Sequence, residues 1–195
     1  MITIQGKGVS AGVGVGPLYF YRRATAEIKR YTVEDTDAEW DRFCDGLNKL
    51  GKIAADRGFK LCFHHHMATV VQTFEETKRL MDNTDPRYVS FCIDTAHTTL
   101  AGMSPVELIK KVGPRLAYMH LKDVDTYALK TAEGADKMGT FRALGHGTID
   151  FPAVKAALEE IGYDGILCVE LDCPEVGNFH SAEVSRIYIR DVLDI

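Results

Sequence analysis

The stretch Tyr88–His97 reads Y-V-S-F-C-I-D-T-A-H. Its first six residues, Tyr88–Ile93, form a short apolar run, and the run stops at the carboxylate Asp94. A run this short, bounded by helix signals, reads as a strand buried on both faces, the kind that parallel sheets contain. The same pattern recurs on either side. Upstream, Phe59–Phe63 runs into His64, His65 and His66. Downstream, Leu116–Met119 ends at His120, and Gly165–Val169 ends at Glu170.

Helix patterns separate these strands. Thr36 and Asp37 can cap a helix carrying Trp40, Phe43, Leu47, Leu50, Ile53 and Ala54 at alternating three- and four-residue steps, with Gly58 as its stop. Thr73 with Glu76, and Ser104 with Glu107, match the capping box, and Pro105 suits a first helical position. Asp150 and Pro152 open a further helix that Gly162 closes, and Ser181–Leu193 reads as a terminal helix. The polar stretch Asp125–Thr140 reads as a long loop. Strands alternating with helices predict an α/β fold in which helices cover a parallel sheet. Right-handed crossovers then give a doubly wound sheet or a barrel.

The N-terminal region is written differently. Gly6–Arg23 is rich in Gly and Val and suggests a strand pair with Pro17 at a turn, followed by a polar linker from Ala24 to Asp37. Two regions follow from this, a segment at 1–38 and a βα domain at 39–195. The G-x-G within Gly12–Gly16 has no helix signal after it, so it is a weak dinucleotide signature.

Composition narrows the function classes. The chain has 195 residues, 46% hydrophobic and 26% charged, with a net charge of −5. These are globular values. Without a basic run, nucleic-acid binding by bulk electrostatics is not expected. No apolar run approaches the roughly 20 residues that span a bilayer, and no signal peptide is visible. Five cysteines without a C-x-x-C read as buried reduced thiols of a cytoplasmic protein.

The polar residues at the strand ends carry the chemistry. A single Asp after a strand is usually a helix cap, and a single His is often a satisfied core histidine. Four such endings, His64–His66, Asp94, His120 and Glu170, are harder to explain one by one. Carboxyl ends of parallel strands converge on one face, where sites are built. Burying Glu170 beyond so apolar a strand would cost several kcal/mol (about 2–7) unless it is paired or bound to a metal. Mixed His and carboxylate donors suit Mn²⁺, Co²⁺, Zn²⁺ or Fe²⁺. Strand alternation puts His64 with His66, His120 with Lys122, and Glu170 with Asp172, and turns His65 away. His97 falls in a turn that could fold back over the site. Lys122 is either an acid, base or electrostatic clamp beside a cation, or a plain partner of Asp123 or Asp125. Leu144–Gly147 (L-G-H-G) sits in a loop before a helix, where its glycines either admit a substrate or only make a turn.

At F-H-H-H-M-A-T-V-V-Q-T (Phe63–Thr73), I-D-T-A-H (Ile93–His97), Y-M-H-L-K-D-V (Tyr118–Val124), L-G-H-G-T-I-D-F (Leu144–Phe151) and I-L-C-V-E-L-D (Ile166–Asp172) the chain resembles the inosose dehydratases. These belong to the xylose-isomerase-like barrel superfamily. The resemblance runs from about Trp40 to Ile195 and implies the C-terminal half of a (β/α)₈ barrel, about four parallel strands with their helices. It implies removal of water from a cyclic ketose, 2-keto-myo-inositol, in inositol catabolism, with a divalent ion, usually manganese or cobalt. It maps Asp94, His120 and Glu170 as ligands. Where the superfamily usually has Glu, this chain has the His64–His66 run, so His64 or His66 either ligates or contacts substrate. Lys122, His97 and His66 are the candidates for acid and base. An isomerase or epimerase on sugars could use the same metal site, and a half barrel could instead be a non-enzymatic remnant. Gly6–Phe20 is similar to the start of Enzyme I of the phosphoenolpyruvate phosphotransferase system, and no activity is carried over from it. A half barrel would expose open edges and an uncovered apolar inner face, which favours self-association.

Overall fold

The computed structural model describes residues 2–6, 9–13, 37–67, 69–132, 140–172, 174 and 177–195, the first two segments as backbone alone. Pro17, the 24–36 linker and Cys173 lie outside the described residues. The chain opens with β1 (Ile2–Gly6) and β2 (Val9–Val13), then α1 (Asp37–Ala55). Three units follow: β3 (Lys60–His64) with α2 (Phe74–Asp82), β4 (Val89–Asp94) with α3 (Thr95–Leu100) and α4 (Pro105–Val112), and β5 (Leu116–Leu121). Short elements β6 (Asp123–Val124), α5 (Thr126–Leu129) and β7 (Phe141–Arg142) lead to α6 (Phe151–Glu160), β8 (Ile166–Val169) and α7 (Asn178–Asp191).

The main sheet has the order β2-β1-β3-β4-β5-β8. From β3 to β8 the pairs are parallel, as the alternating strands and helices require. β1 and β2 form an antiparallel hairpin, and β1 pairs antiparallel with β3 through Ile2↔Phe63 and Gln5↔Lys60. The hairpin therefore sits on the β3 edge of the sheet, and β8 is the opposite edge. Residues 7–8, between the two strands, lie outside the described residues, as does the turn expected at Pro17.

Odd-numbered positions of β3 and β4, such as Leu61, Phe63, Phe91 and Ile93, join Leu80, Leu108, Ile109 and Val112 in the core beneath the helices. Even-numbered positions Cys62 and Cys92 pack with Ala117 and Tyr118 on the other face. That inner face is buried at these residues, contrary to the uncovered face expected of a half barrel. The capping signals act as read: Thr73 and Glu76 cap α2 reciprocally, and Ser104 and Asp150 accept from the third residue of α4 and α6.

Three expectations need correction. The Asp125–Thr140 stretch is no plain loop. Asp125 caps α5, and Val124 pairs with Phe141 in a two-stranded ribbon. The terminal helix begins at Asn178, three residues before the expected Ser181. His97 lies in α3, a helix that starts directly at Asp94. That helix is too short for an amphipathic pattern to reveal.

One irregularity positions the site. Phe91 pairs with Leu116, but Cys92 pairs with Tyr118, so Ala117 is an extra residue in β5. A continuous register would have placed Met119 beside Asp94. The bulge instead places His120 there.

Close packing also constrains α1. A Cβ on Gly51 would collide with the main-chain carbonyl of Tyr88 at the entrance to β4. We therefore predict that Gly51→Ala lowers stability by about 1–3 kcal/mol through overpacking, read as a shift in the urea midpoint.

Candidate metal centre

β3, β4, β5 and the residue after β8 deliver His64, Asp94, His120 and Glu170 to one end of the sheet. Asp94 is fully buried, and so, to within a few percent, are His64 and His120. One ligand atom from each of His64, Asp94 and His120 can be chosen so that all three lie within 4.8 Å of one another. Asp94 Oδ2 is 3.9 Å from His64 Nε2 and 3.7 Å from His120 Nδ1. These gaps are too long for hydrogen bonds. Two donors about 2.1 Å from one ion lie at most ~4.2 Å apart, so shifts below about 1 Å would seat all three on a cation. Glu170 Oε2 sits 2.9 Å from the same His120 nitrogen. Asp94 Oδ2, His120 Nδ1 and Glu170 Oε2 are buried and make no well-directed hydrogen bond, as expected of a donor set shaped for a cation. The residues present fit a divalent ion.

Asp94 acts twice. Its Oδ1 accepts from the His97 N–H at 2.9 Å, capping α3, and this locks the carboxylate with Oδ2 toward the histidines. Burial opposes its ionisation, yet the imidazoles around it, His97 first, and the Lys122 ammonium prevail and hold the carboxyl well below its usual range.

Lys122 is buried, and its ammonium meets three carboxylates: Glu170 at 2.9 Å, Asp172 at 2.9 Å and Asp94 at 3.3 Å. Burial alone would lower its pKa, but Asp94, Glu170 and Asp172 raise it above the normal lysine value. Its expected alternative partners, Asp123 and Asp125, are engaged elsewhere. The ammonium also lies 3.3 Å from His97 Nε2. Since Lys122 has no acceptor when charged, His97 Nε2 must accept, and the neutral ring carries its proton on Nδ1.

His66 stacks on His97 with ring centroids 3.6 Å apart. Its Nδ1 lies 2.8 Å from the Met67 carbonyl, which can only accept, so Nδ1 bears the proton. Burial pushes both rings below the ordinary histidine pKa, so both are neutral near pH 7. His64 and His66 thus share the site's side, while His65 turns away to Thr98.

A scan of family models matches residues 22–190 to the Xylose isomerase-like TIM barrel. The chain belongs to this family. An inosose dehydratase of Geobacillus thermodenitrificans is 42% identical over 165 residues, which cover 80% of this chain and 55% of that protein. One from Salmonella typhimurium is 42% identical over 171 residues, covering 79% and 57%. The chain thus spans about half the length of the curated relatives it matches. Among solved structures, a sugar phosphate isomerase/epimerase of Parabacteroides distasonis aligns with a TM-score of 0.63 at 21% identity, covering 81% of this chain and 54% of that one. A probable 3-DHS dehydratase of Bacillus anthracis aligns at 0.61 with 14% identity, covering 77% and 56%. These likenesses are of fold.

In this family member the L-G-H-G loop is built around Asp123, a residue whose sequence position suggests only a partner for Lys122. Its Oδ2 accepts from Gly145 and Gly147 N–H, and its Oδ1 from Val124 and Ile149 N–H, all within 3.2 Å. A Cβ on Gly147 would strike that carboxylate, so this glycine lets the backbone close on Asp123. The signal was present as K-D-V paired with G-H-G, but a hydrogen bond across 22 or more residues has no local mark. We expect Asp123→Ala to destabilise the protein by about 1–3 kcal/mol by orphaning partly buried amides. Amide hydrogen exchange should quicken at Gly145, Gly147 and Ile149 while α1 stays protected.

Proposed function

We propose that this chain carries the metal-binding half of a hydro-lyase of the inosose dehydratase type, acting on a cyclic ketose. The carrying observation is the convergence of His64, Asp94, His120 and Glu170 on one nitrogen-and-carboxylate centre with Lys122 held against its acids. The names of the relatives at 42% identity support the dehydratase class. We assign His64, Asp94, His120 and Glu170 as ligands of a Mn²⁺ or Co²⁺ ion, with His64 where the superfamily usually has Glu. When bound, the cation would supply a Lewis acid that polarises a substrate carbonyl.

The chain's own residues then divide the proton work. Loss of water from a ketose needs a base for the acidic C–H beside the carbonyl and an acid for the departing hydroxyl. His66 is the base: Met67 holds the proton on Nδ1, which makes Nε2 the basic nitrogen of the neutral ring. Lys122 is the acid or the clamp on the departing oxygen, since it keeps its proton among three carboxylates and His97 accepts from it. The exposed apolar residues of the β8 edge and of α7 also support self-association. β8 leaves Ile166 and Val169 partly exposed, and α7 exposes Phe179 and Ile187.

Two measurements test this reading. Metal content should be determined together with mass in solution. About one Mn²⁺ or Co²⁺ per chain is expected, and Glu170→Gln should lower affinity at least about tenfold. Metal content unchanged in that variant would remove Glu170 from the ligand set. Lys122→Met should instead leave metal affinity unchanged or tighter, because a competing positive charge is gone, while dehydration falls by about 10²–10⁴. The assay should follow water loss against epimerisation on cyclic and open-chain ketoses. Isomer formation without loss of water would replace the dehydratase assignment with an epimerase.

A further inference from the structure

Three residues of the H-H-H and D-T-A-H-T stretches have no part in the chemistry above, yet all are fully buried: His65, Thr95 and Thr98. Their hydrogen bonds connect the three strands that carry His64, Asp94 and His120. Thr98 Oγ1 lies 2.6 Å from the main-chain carbonyl of Asp94 and 3.1 Å from His65 Nε2. A carbonyl only accepts, so the single hydroxyl proton points at Asp94. The hydroxyl must then accept from His65, which places that ring's proton on Nε2. His65 follows directly on the ligand His64 at the end of β3. The first turn of α3 is in this way fastened to β3.

Thr95 fastens the same turn to β5. Its hydroxyl accepts from the Lys122 N–H at 2.9 Å and donates to the Lys122 carbonyl at 2.6 Å. This link falls just beyond His120, where the β4–β5 ladder has ended. Asp94 therefore stands between two hydroxyl bridges, one on each flank, while its own Oδ1 is committed to His97.

We propose that Thr95, Thr98 and His65 are positioning residues that set the spacing of Asp94 Oδ2 from His64 and His120, and so set the site's affinity for a divalent ion. This rests on the metal reading given above. Hydroxyl-to-methyl replacements test it, because Val has the shape of Thr without its hydrogen bonds. Mn²⁺ titration by calorimetry should show Thr98→Val and Thr95→Val weakened about tenfold, the scale of outer-shell losses, and Thr98→Ser and Thr95→Ser restored to within about threefold. Melting curves of the metal-free proteins show whether each variant is folded. Should a Val variant fail to fold, His65 decides. His65→Gln, whose amide N–H reaches the place of Nε2–H, should keep affinity within about threefold, and His65→Leu should lose about tenfold.

Affinity within about twofold of wild type in every folded hydroxyl-free variant and in His65→Leu would overturn the proposal while leaving the metal site in place. A wild-type chain that binds no Mn²⁺ would overturn the metal reading and this proposal together. A nitrogen-15 NMR assignment gives an independent arm. The proposal requires the His65 proton on Nε2, and a proton on Nδ1 would break the relay.

Discussion

A carboxylate buried without full pairing is among the most expensive groups a protein interior can hold, and Asp94 is such a group. Its cost is offset on three sides. The His97 N–H satisfies Oδ1, the Lys122 ammonium stands 3.3 Å from Oδ2, and two imidazoles border the same oxygen. The rest of the architecture follows from keeping these partners in place. β4 needs neighbours on both sides to deliver them, α3 must begin at Asp94 for the cap to form, and β5 must take up the extra residue Ala117 so that His120 faces inward.

The electrostatic balance of the centre explains its residue types. Glu170 and Asp172 add negative charge that a single lysine offsets only in part. Such a surplus attracts a divalent cation and repels a further carboxylate. Lysine in this setting stays charged, while His66 and His97, walled in by protein, stay neutral. Environment alone thus separates a charged lysine from neutral imidazoles within one small cluster.

The periphery is organised to hold that cluster still. Asp123, one residue after Lys122, gathers four backbone amides of the segment that returns toward α6. Arg115, at the head of β5, binds the carbonyls of Met81 and Val89 and the Thr84 hydroxyl. Both ends of β5 are therefore tied to neighbouring segments by charge-assisted bonds, which are stronger than neutral ones. The strand carrying His120, with Lys122 just beyond its end, is thus held at both ends.

Much of this was legible in the residues themselves. Short apolar runs capped by Asp94, His120 and Glu170 announced parallel strands and a shared polar end, and Thr73, Ser104 and Asp150 announced helix starts, because periodicity and capping are local. Strand alternation likewise separated His64 and His66 from His65. Other features required the fold. The bulge at Ala117, the amides around Asp123 and the hydroxyl bridges of Thr95 and Thr98 join residues from different segments or depend on register, and α3, though its cap on Asp94 is local, is too short to leave a periodic mark. Hydrophobic pattern encodes which way a residue points. Which neighbour it then meets is decided only when the strands pair, since a register change of one residue would put Met119 where His120 now stands.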